Sequence, residues 1–153
     1  MTDSTLMTLV RAYAAAKSAQ DVAGALAVCH DDVVLDTPAF GTRARGKAET
    51  EAQLRLFFAA FPDYRVEVED IVGDATRVAC WGTATMTLAG PIVDIVPTGR
   101  TARIPFASVF TGRDGRIAGE RFYFDLAGLA AQLGLSADHL AATLAPLGTS
   151  AAA

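Results

Sequence analysis

Three carboxylates stand where their neighbours would give them chemistry. In the stretch GRIAGERFYFDLAGLAAQLGL, residues 115–135, a two-residue period sets Glu120 on the same side as Phe122 and Phe124. A carboxylate beside two rings and away from water is poorly solvated in its charged form, which pushes its pKa up toward the range useful to a general acid or base near neutral pH. The competing expectation is a Glu at the open end of the strand, or one paired with an arginine such as Arg103. Asp36 ends the run VVLD before Thr37 and Pro38, where it is either part of a cavity wall or an Asx-turn cap for the following loop. Asp94 lies among Ile92, Val93, Ile95 and Val96 in a connection, facing either water or a ligand.

Around these carboxylates the expected walls are Phe122, Phe106, Phe110, Trp81, Tyr64, Met86 and Phe124, which suit a bulky, flat and mostly apolar ligand. Arg121, Tyr123 and Asp125 fall on the opposite side of the same strand, and Asp125 has a sufficient role as a helix N-cap. Cys29 and Cys80 are isolated, with no CxxC and no His at ligand spacing, and read as two small buried hydrophobes. His30 at a helix end and His139 on a terminal helix read as structural. No metal site and no cofactor are expected.

The elements that must position these side chains follow from hydrophobic period. Leu6, Leu9, Val10 and Tyr13, then Val22 and Leu26, give a helical hairpin over residues 4–28, with Asp21 capping its second arm. DVVLDTP is a short strand that stops at Pro38, followed by a loop, AFGTRARG. A helix then runs from near Gly46, with Leu54, Phe57, Phe58 and Phe61 as its apolar stripe, and Pro62 ends it. Four strands follow: YRVEVEDIV, TRVACWGTATMTL, GRTARIPFASVFTG and RIAGERFYFD. The turns VGDAT and GRDGR join neighbours, and the longer AGPIVDIVPTG is expected at the mouth of a cavity. Asp125 and Ser136 start two short helices, and residues 149–153 are an Ala-rich tail expected to fray.

The chain has 153 residues, 52% of them hydrophobic, and a net charge of −4. That is one domain, taken as residues 1–148, large enough for a core without disulfides. Its only lysines are Lys17 and Lys47, and no basic run exists, so nucleic acid is not an expected partner. The N-terminal stretch lacks the pattern of a signal peptide and no apolar run reaches membrane-spanning length, which makes a soluble cytoplasmic protein the default expectation. The strands are apolar on both faces in places: Phe106 and Phe110 oppose Val109, and Val78 opposes Trp81. One face therefore lines an interior, and the other is expected to meet a second copy in a homodimer.

FPDYRVEVEDIV at 61–72, PTGR at 97–100, the DGRI turn at 114–117 and FDLAGLAAQLG at 124–134 together resemble the SnoaL-like polyketide cyclases. These share a superfamily with ketosteroid isomerase, limonene-epoxide hydrolase and nuclear transport factor 2-like proteins. The resemblance covers nearly the whole chain. It implies an α+β fold, a cone-shaped curved antiparallel sheet closed by N-terminal helices, with a short C-terminal helix. It also implies cofactor-independent acid/base chemistry, cyclisation or isomerisation, on a bulky hydrophobic small molecule. A non-catalytic binding protein is the alternative, and an epoxide hydrolase-like or cofactor-free oxygenase activity a further one. In the hydrolase and the cyclases an inward catalytic Asp aligns with Phe122, so that carboxylate is missing here. The same alignment sets Ala118, Glu120, Phe122 and Phe124 inward. The hydrolase's Arg and Asp before PTGR align with Ile92 and Asp94, and the isomerase's general base aligns with Thr37, one residue after Asp36.

Overall fold

The computed structural model describes residues 4–148, so the tail expected to fray lies outside the described residues. Helix α1, Thr5–Ser18, is capped by Ser4, whose hydroxyl accepts from the Met7 amide, and α2, Val22–Ala27, is capped by Asp21 through the Gly24 amide. These are the two arms of the expected hairpin. Strand β1, Cys29–Thr37, ends at Pro38, which has no N–H to continue a ladder. The segment read as a loop holds more order than expected. A 3-10 turn, Pro38–Phe40, closes on Gly41 at φ 67°, and Thr42–Arg45 form an edge strand, β2, with Thr42 and Ala44 buried.

Helix α3, Gly46–Ala60, buries Leu54 and Phe58 and stops before Phe61 and Pro62. Strands β3, Arg65–Gly73, β4, Arg77–Thr87, β5, Thr101–Arg113, and β6, Arg116–Phe124, follow as their alternation requires. Asp114 and Gly115, at φ 54° and 71°, make the two-residue turn between β5 and β6. Helices α4, Leu126–Leu133, and α5, Ala137–Leu144, close the chain with a 3-10 turn, Ala145–Gly148. Ser136 caps α5 through the His139 amide, whereas Asp125 holds the N-cap position of α4 without a side-chain cap bond.

The six strands form one curved, open sheet in the order β2-β1-β6-β5-β4-β3. Every neighbouring pair is antiparallel except β1 and β6, which run parallel with Leu35 opposite Glu120. No turn joins those two strands, so the path of the intervening elements, α3 and strands β2 to β5, and not a hairpin sets their direction. Irregularities at Val68/Asp70 and Thr111/Gly112 bend and twist the sheet around α1 and α3. The second of these also corrects the inward face of β6: Ile117, not Ala118, takes the buried place, after which Glu120 and Phe122 are buried as expected.

Beyond Phe106, β5 has outrun β6, and the Gln132 side chain of α4 serves that free edge. It accepts from the Arg103 amide at 2.8 Å and donates to the Arg103 carbonyl at 3.1 Å. Among the described residues no helix is long and apolar enough to cross a membrane.

Candidate functional site

The site begins on α1. Leu6, Val10, Tyr13 and Lys17 are its buried residues, and their spacing of four, three and four puts them on one helical face. The first three read as ordinary core. The fourth extends a lysine along the same apolar stripe, and its side chain is 9% exposed.

What meets it across the interior is Glu120, whose side chain is 4% exposed. The Tyr13 hydroxyl donates to Glu120 Oε1 at 2.9 Å, and the Ser108 hydroxyl, on the inner face of β5, donates to Oε2 at 3.0 Å. Lys17 Nζ lies 3.7 Å from Oε1. A buried carboxylate is tolerable when paired and hydrogen-bonded, and these three groups supply both conditions. The sequence left Glu120 beside rings or paired with Arg103. The structure gives it Lys17, while Arg103 is exposed on the far side of β5.

The ammonium is also caged by rings, 5.1 Å from the centroid of Tyr13, 5.2 Å from Phe122 and 5.6 Å from Tyr64. Burial, the largest single influence, would lower the Lys17 pKa, but the charge of Glu120 and smaller upward contributions, chiefly from Tyr64, together outweigh it and the net displacement is upward. The Tyr13 hydroxyl is held well above its ordinary value by burial and then by the charge of Glu120. Burial pushes Tyr64 up to about 12, against a partial offset from Lys17. Cys29 and Cys80, both buried as expected, are each pushed up to about 11 by burial first.

A cavity of about 100 Å³ opens beside this polar centre. Its walls are Leu54, Phe57 and Phe61 from α3 and its end, Leu35 from β1, Ile92 from the β4–β5 connection, and Leu140, Leu144 and Leu147 from the C-terminal segment. Among the residues lining it Lys17 is the one charged side chain. A smaller pocket of about 20 Å³ lies behind, lined by Tyr13, Ser108, Phe106, Phe110 and Glu120. Lys17, Tyr64 and Phe122 line both, so they form the partition, with Glu120 on its inner side.

The residues proposed from sequence are dispersed relative to this geometry. Tyr64 and Phe122 are cavity walls, and Phe106, stacked on Phe122 at 5.5 Å, and Phe110 belong to the inner pocket. Met86 is buried in the core and is a wall of neither space. Phe124 packs between Phe40 and Phe122 at centroid distances of 4.9 and 5.4 Å. Trp81 is not a wall: its odd place in β4, between inward Cys80 and Gly82, turns it to the outer face, where it is 39% exposed.

Asp36 is outward for the same reason. Leu35 and Thr37 face the cavity, and Asp36 between them pairs with Arg43 at 2.9 Å and Arg121 at 4.0 Å. Asp94 is exposed and lies 3.7 Å from His139 Nε2. The structure thus brings neither Asp to Glu120. Among the described residues no three His, Cys, Asp or Glu side chains converge as a metal site. Sequence reasoning missed Tyr13, Lys17 and Ser108 as functional candidates. Their signals were a lysine in register with the buried stripe of α1 and a serine in register with Phe106 and Phe110.

The model of the SnoaL-like polyketide cyclases matches residues 7–133. No curated protein sequence matches the chain. Among solved structures, a putative polyketide cyclase from Pseudomonas putida is 29% identical, with a TM-score of 0.71 over 86% of this chain and 99% of that one. IdmH, a putative polyketide cyclase from Streptomyces antibioticus, is 24% identical, with a TM-score of 0.71 over 84% and 97%. AclR, a putative hydroxylase from Streptomyces galilaeus, is also 24% identical, with a TM-score of 0.70 over 83% and 93%. The last two similarities show the fold alone.

Proposed function

The chain belongs to the SnoaL-like polyketide cyclase family, and from that premise we propose that it carries out cofactor-independent acid/base chemistry on a hydrophobic, polyketide-like small molecule. The reaction is enolisation followed by ring closure or isomerisation, and Glu120 moves the proton. The observation that carries this reading is a buried carboxylate, held by two hydroxyls and an ammonium, directly behind the Lys17–Tyr64–Phe122 partition of a mostly apolar cavity. Each Glu120 oxygen holds one hydroxyl and retains lone-pair capacity for a substrate proton.

In the proposed step the carboxylate takes a proton from the carbon beside a carbonyl. The C–H bond breaks, its electron pair becomes the enolate, and Glu120 becomes neutral. The enolate carbon then attacks a second carbonyl of the same molecule, whose C=O π pair becomes an alkoxide that takes the proton back from Glu120, or the enolate is itself reprotonated at a new position by Glu120. Phe122 and Lys17 stand between the cavity and the carboxylate, so the reacting carbon reaches Glu120 when Phe122 turns aside. The open space of about 100 Å³ is smaller than the roughly 300–1,000 Å³ of ordinary ligand pockets. The inner ring of a ligand fills it.

The second reading, a binding protein without catalysis, is favoured by one feature: Phe122 covers Glu120 from the cavity side. An enolisable one-ring ketone separates the two. The wild-type protein should accelerate exchange of the α-protons of 2-indanone in D₂O above the buffer rate, followed by NMR, and Glu120→Gln should lower that acceleration by about two to four orders of magnitude. Exchange at the buffer rate with wild-type protein would leave only the binding reading.

A further inference from the structure

Lys17 is one of two lysines in the chain and the buried one, since Lys47 lies at the surface near Asp31. Taking an ammonium out of water costs several kcal/mol after relaxation unless its partners are good. Here the partner is close but the geometry is loose: 3.7 Å to Glu120 Oε1 is beyond the 2.7–2.9 Å of a charge-assisted hydrogen bond. An ammonium carries three N–H donors, and one carboxylate oxygen takes at most one of them. The three rings around Nζ offer π faces to the cation, contacts that take none of its N–H donors into a conventional hydrogen bond. Donor capacity is therefore left over on the single charged side chain that lines the cavity.

We propose that Lys17 is a catalytic residue that donates to an oxygen at the inner end of the ligand, a carbonyl when the ligand binds and an enolate as the α-proton leaves. The inference rests on the enolisation reading above and deepens it by naming the substrate class: a flat apolar body that enters carbonyl first. The charges balance through the step. Before it, Lys17 faces the ionised Glu120; after it, Glu120 is neutral and the negative charge sits on the enolate oxygen, on the other side of the same ammonium. A fixed cation that serves both ends of the transfer needs little reorganisation, and its interaction with the substrate strengthens as charge develops. The upward displacement of the Lys17 pKa keeps the group protonated and argues for this electrostatic role over a covalent imine, which needs the free amine.

The test compares 2-indanone with indane, nearly the same shape without the oxygen, by calorimetric titration. Wild-type protein should bind the ketone about tenfold or more tightly than indane, the range of a hydrogen bond to a charged group. Lys17→Met should abolish that preference while leaving indane within about twofold. If Lys17→Met fails to fold because Glu120 is left unpaired, the comparison is Glu120→Gln, which keeps the preference, against Lys17→Met/Glu120→Gln, which loses it. Equal binding of the two probes by wild type, a preference that survives loss of Lys17, or no binding of either probe would each overturn the proposal. A Lys17-dependent preference without catalysed α-exchange defeats the enzyme reading and leaves this one standing. Catalysed exchange that needs Glu120 and is unchanged in Lys17→Met does the reverse.

Discussion

Lys17→Met is expected to be among the most destabilising single substitutions in the chain, and a second substitution is expected to repair it. The pair is nearly free of solvent, with side chains 9% and 4% exposed and 3.7 Å between Nζ and Oε1. At an effective dielectric near 20 two unit charges at that separation attract by about 4.5 kcal/mol, and removing one partner of a buried pair typically costs about 3–5 kcal/mol. For a domain of this size that lowers Tm by roughly 6–20 °C. Glu120→Gln leaves the cation behind and should cost somewhat less, because Lys17 also borders the cavity, where water can reach it. Lys17→Met/Glu120→Gln removes both charges, and the amide still satisfies the Tyr13 and Ser108 hydroxyls, so it should return to within about 1 kcal/mol of wild type. Urea unfolding with a constant m-value measures the cycle. Single variants that each lose less than about 1 kcal/mol, with losses that simply add, would mean that the charges are solvated or absent, and would refute the buried-pair argument.

Other expectations follow from the same geometry. Cys29 and Cys80 ionise near 9 when unfolded and are pushed up to about 11 in the fold, so the stability they contribute is complete below pH 9 and is lost as pH rises through about 11. Urea midpoints should fall across that window, and a Cys29→Ala/Cys80→Ala variant should show a shallower fall; parallel slopes would contradict it. Val93 holds φ 53°, a left-handed conformation that a β-branched residue adopts at a cost of roughly 1–2 kcal/mol, and it is 65% exposed. Val93→Asn should therefore raise Tm by a few degrees, and an unchanged or lower Tm in a thermal scan would count against strain at that turn. The outer sheet face exposes Trp81, Val109 and Tyr123 on three adjacent strands, and pairing of two copies there would cover them. Sedimentation is expected to give twice the chain mass for wild type and the chain mass for Trp81→Glu; a wild-type monomer at micromolar concentration would exclude that pairing.

Much of the fold was legible because local patterns are enforced by burial. The alternation of Phe106, Ser108 and Phe110, or of Glu120 and Phe122, leaves few choices about which face is inward. The caps at Asp21 and Ser136 and the Asp114–Gly115 turn are likewise local chemistry. What was not legible is non-local or aperiodic. The parallel pairing of β1 with β6 joins segments at opposite ends of the domain, and β2 is an edge strand of only four residues, too short for alternation to distinguish it from a polar loop. The irregularity at Thr111/Gly112 exchanges Ile117 for Ala118 on the inner face, which no regular period expresses. Trp81 was misplaced through its type: an aromatic in a strand suggests the interior, yet parity with Cys80 puts it outside.

The site divides along the same line. Glu120 was readable because it shares parity with Phe122, and its partner was half-visible because Lys17 shares a helical face with Leu6, Val10 and Tyr13. A lysine in the last turn of a helix has an innocent explanation, since its charge suits the helix dipole and its stem can lie on apolar surface while the head reaches water. That explanation fails once the carboxylate is considered with it. A glutamate forced inward by strand parity and a lysine forced inward by helix period are each costly alone, by several kcal/mol, and each is the other's least costly remedy. Two charges that offend local patterning in separate elements are therefore evidence about tertiary structure: they argue that those elements pack face to face. Here that argument selects α1 against the inner face of β6, with Tyr13 and Ser108 completing the coordination of the carboxylate. The same reasoning explains why Asp36 and Asp94 carry no such weight, because neither breaks the pattern of its element: one alternates outward beside Arg43, and the other lies exposed beside His139.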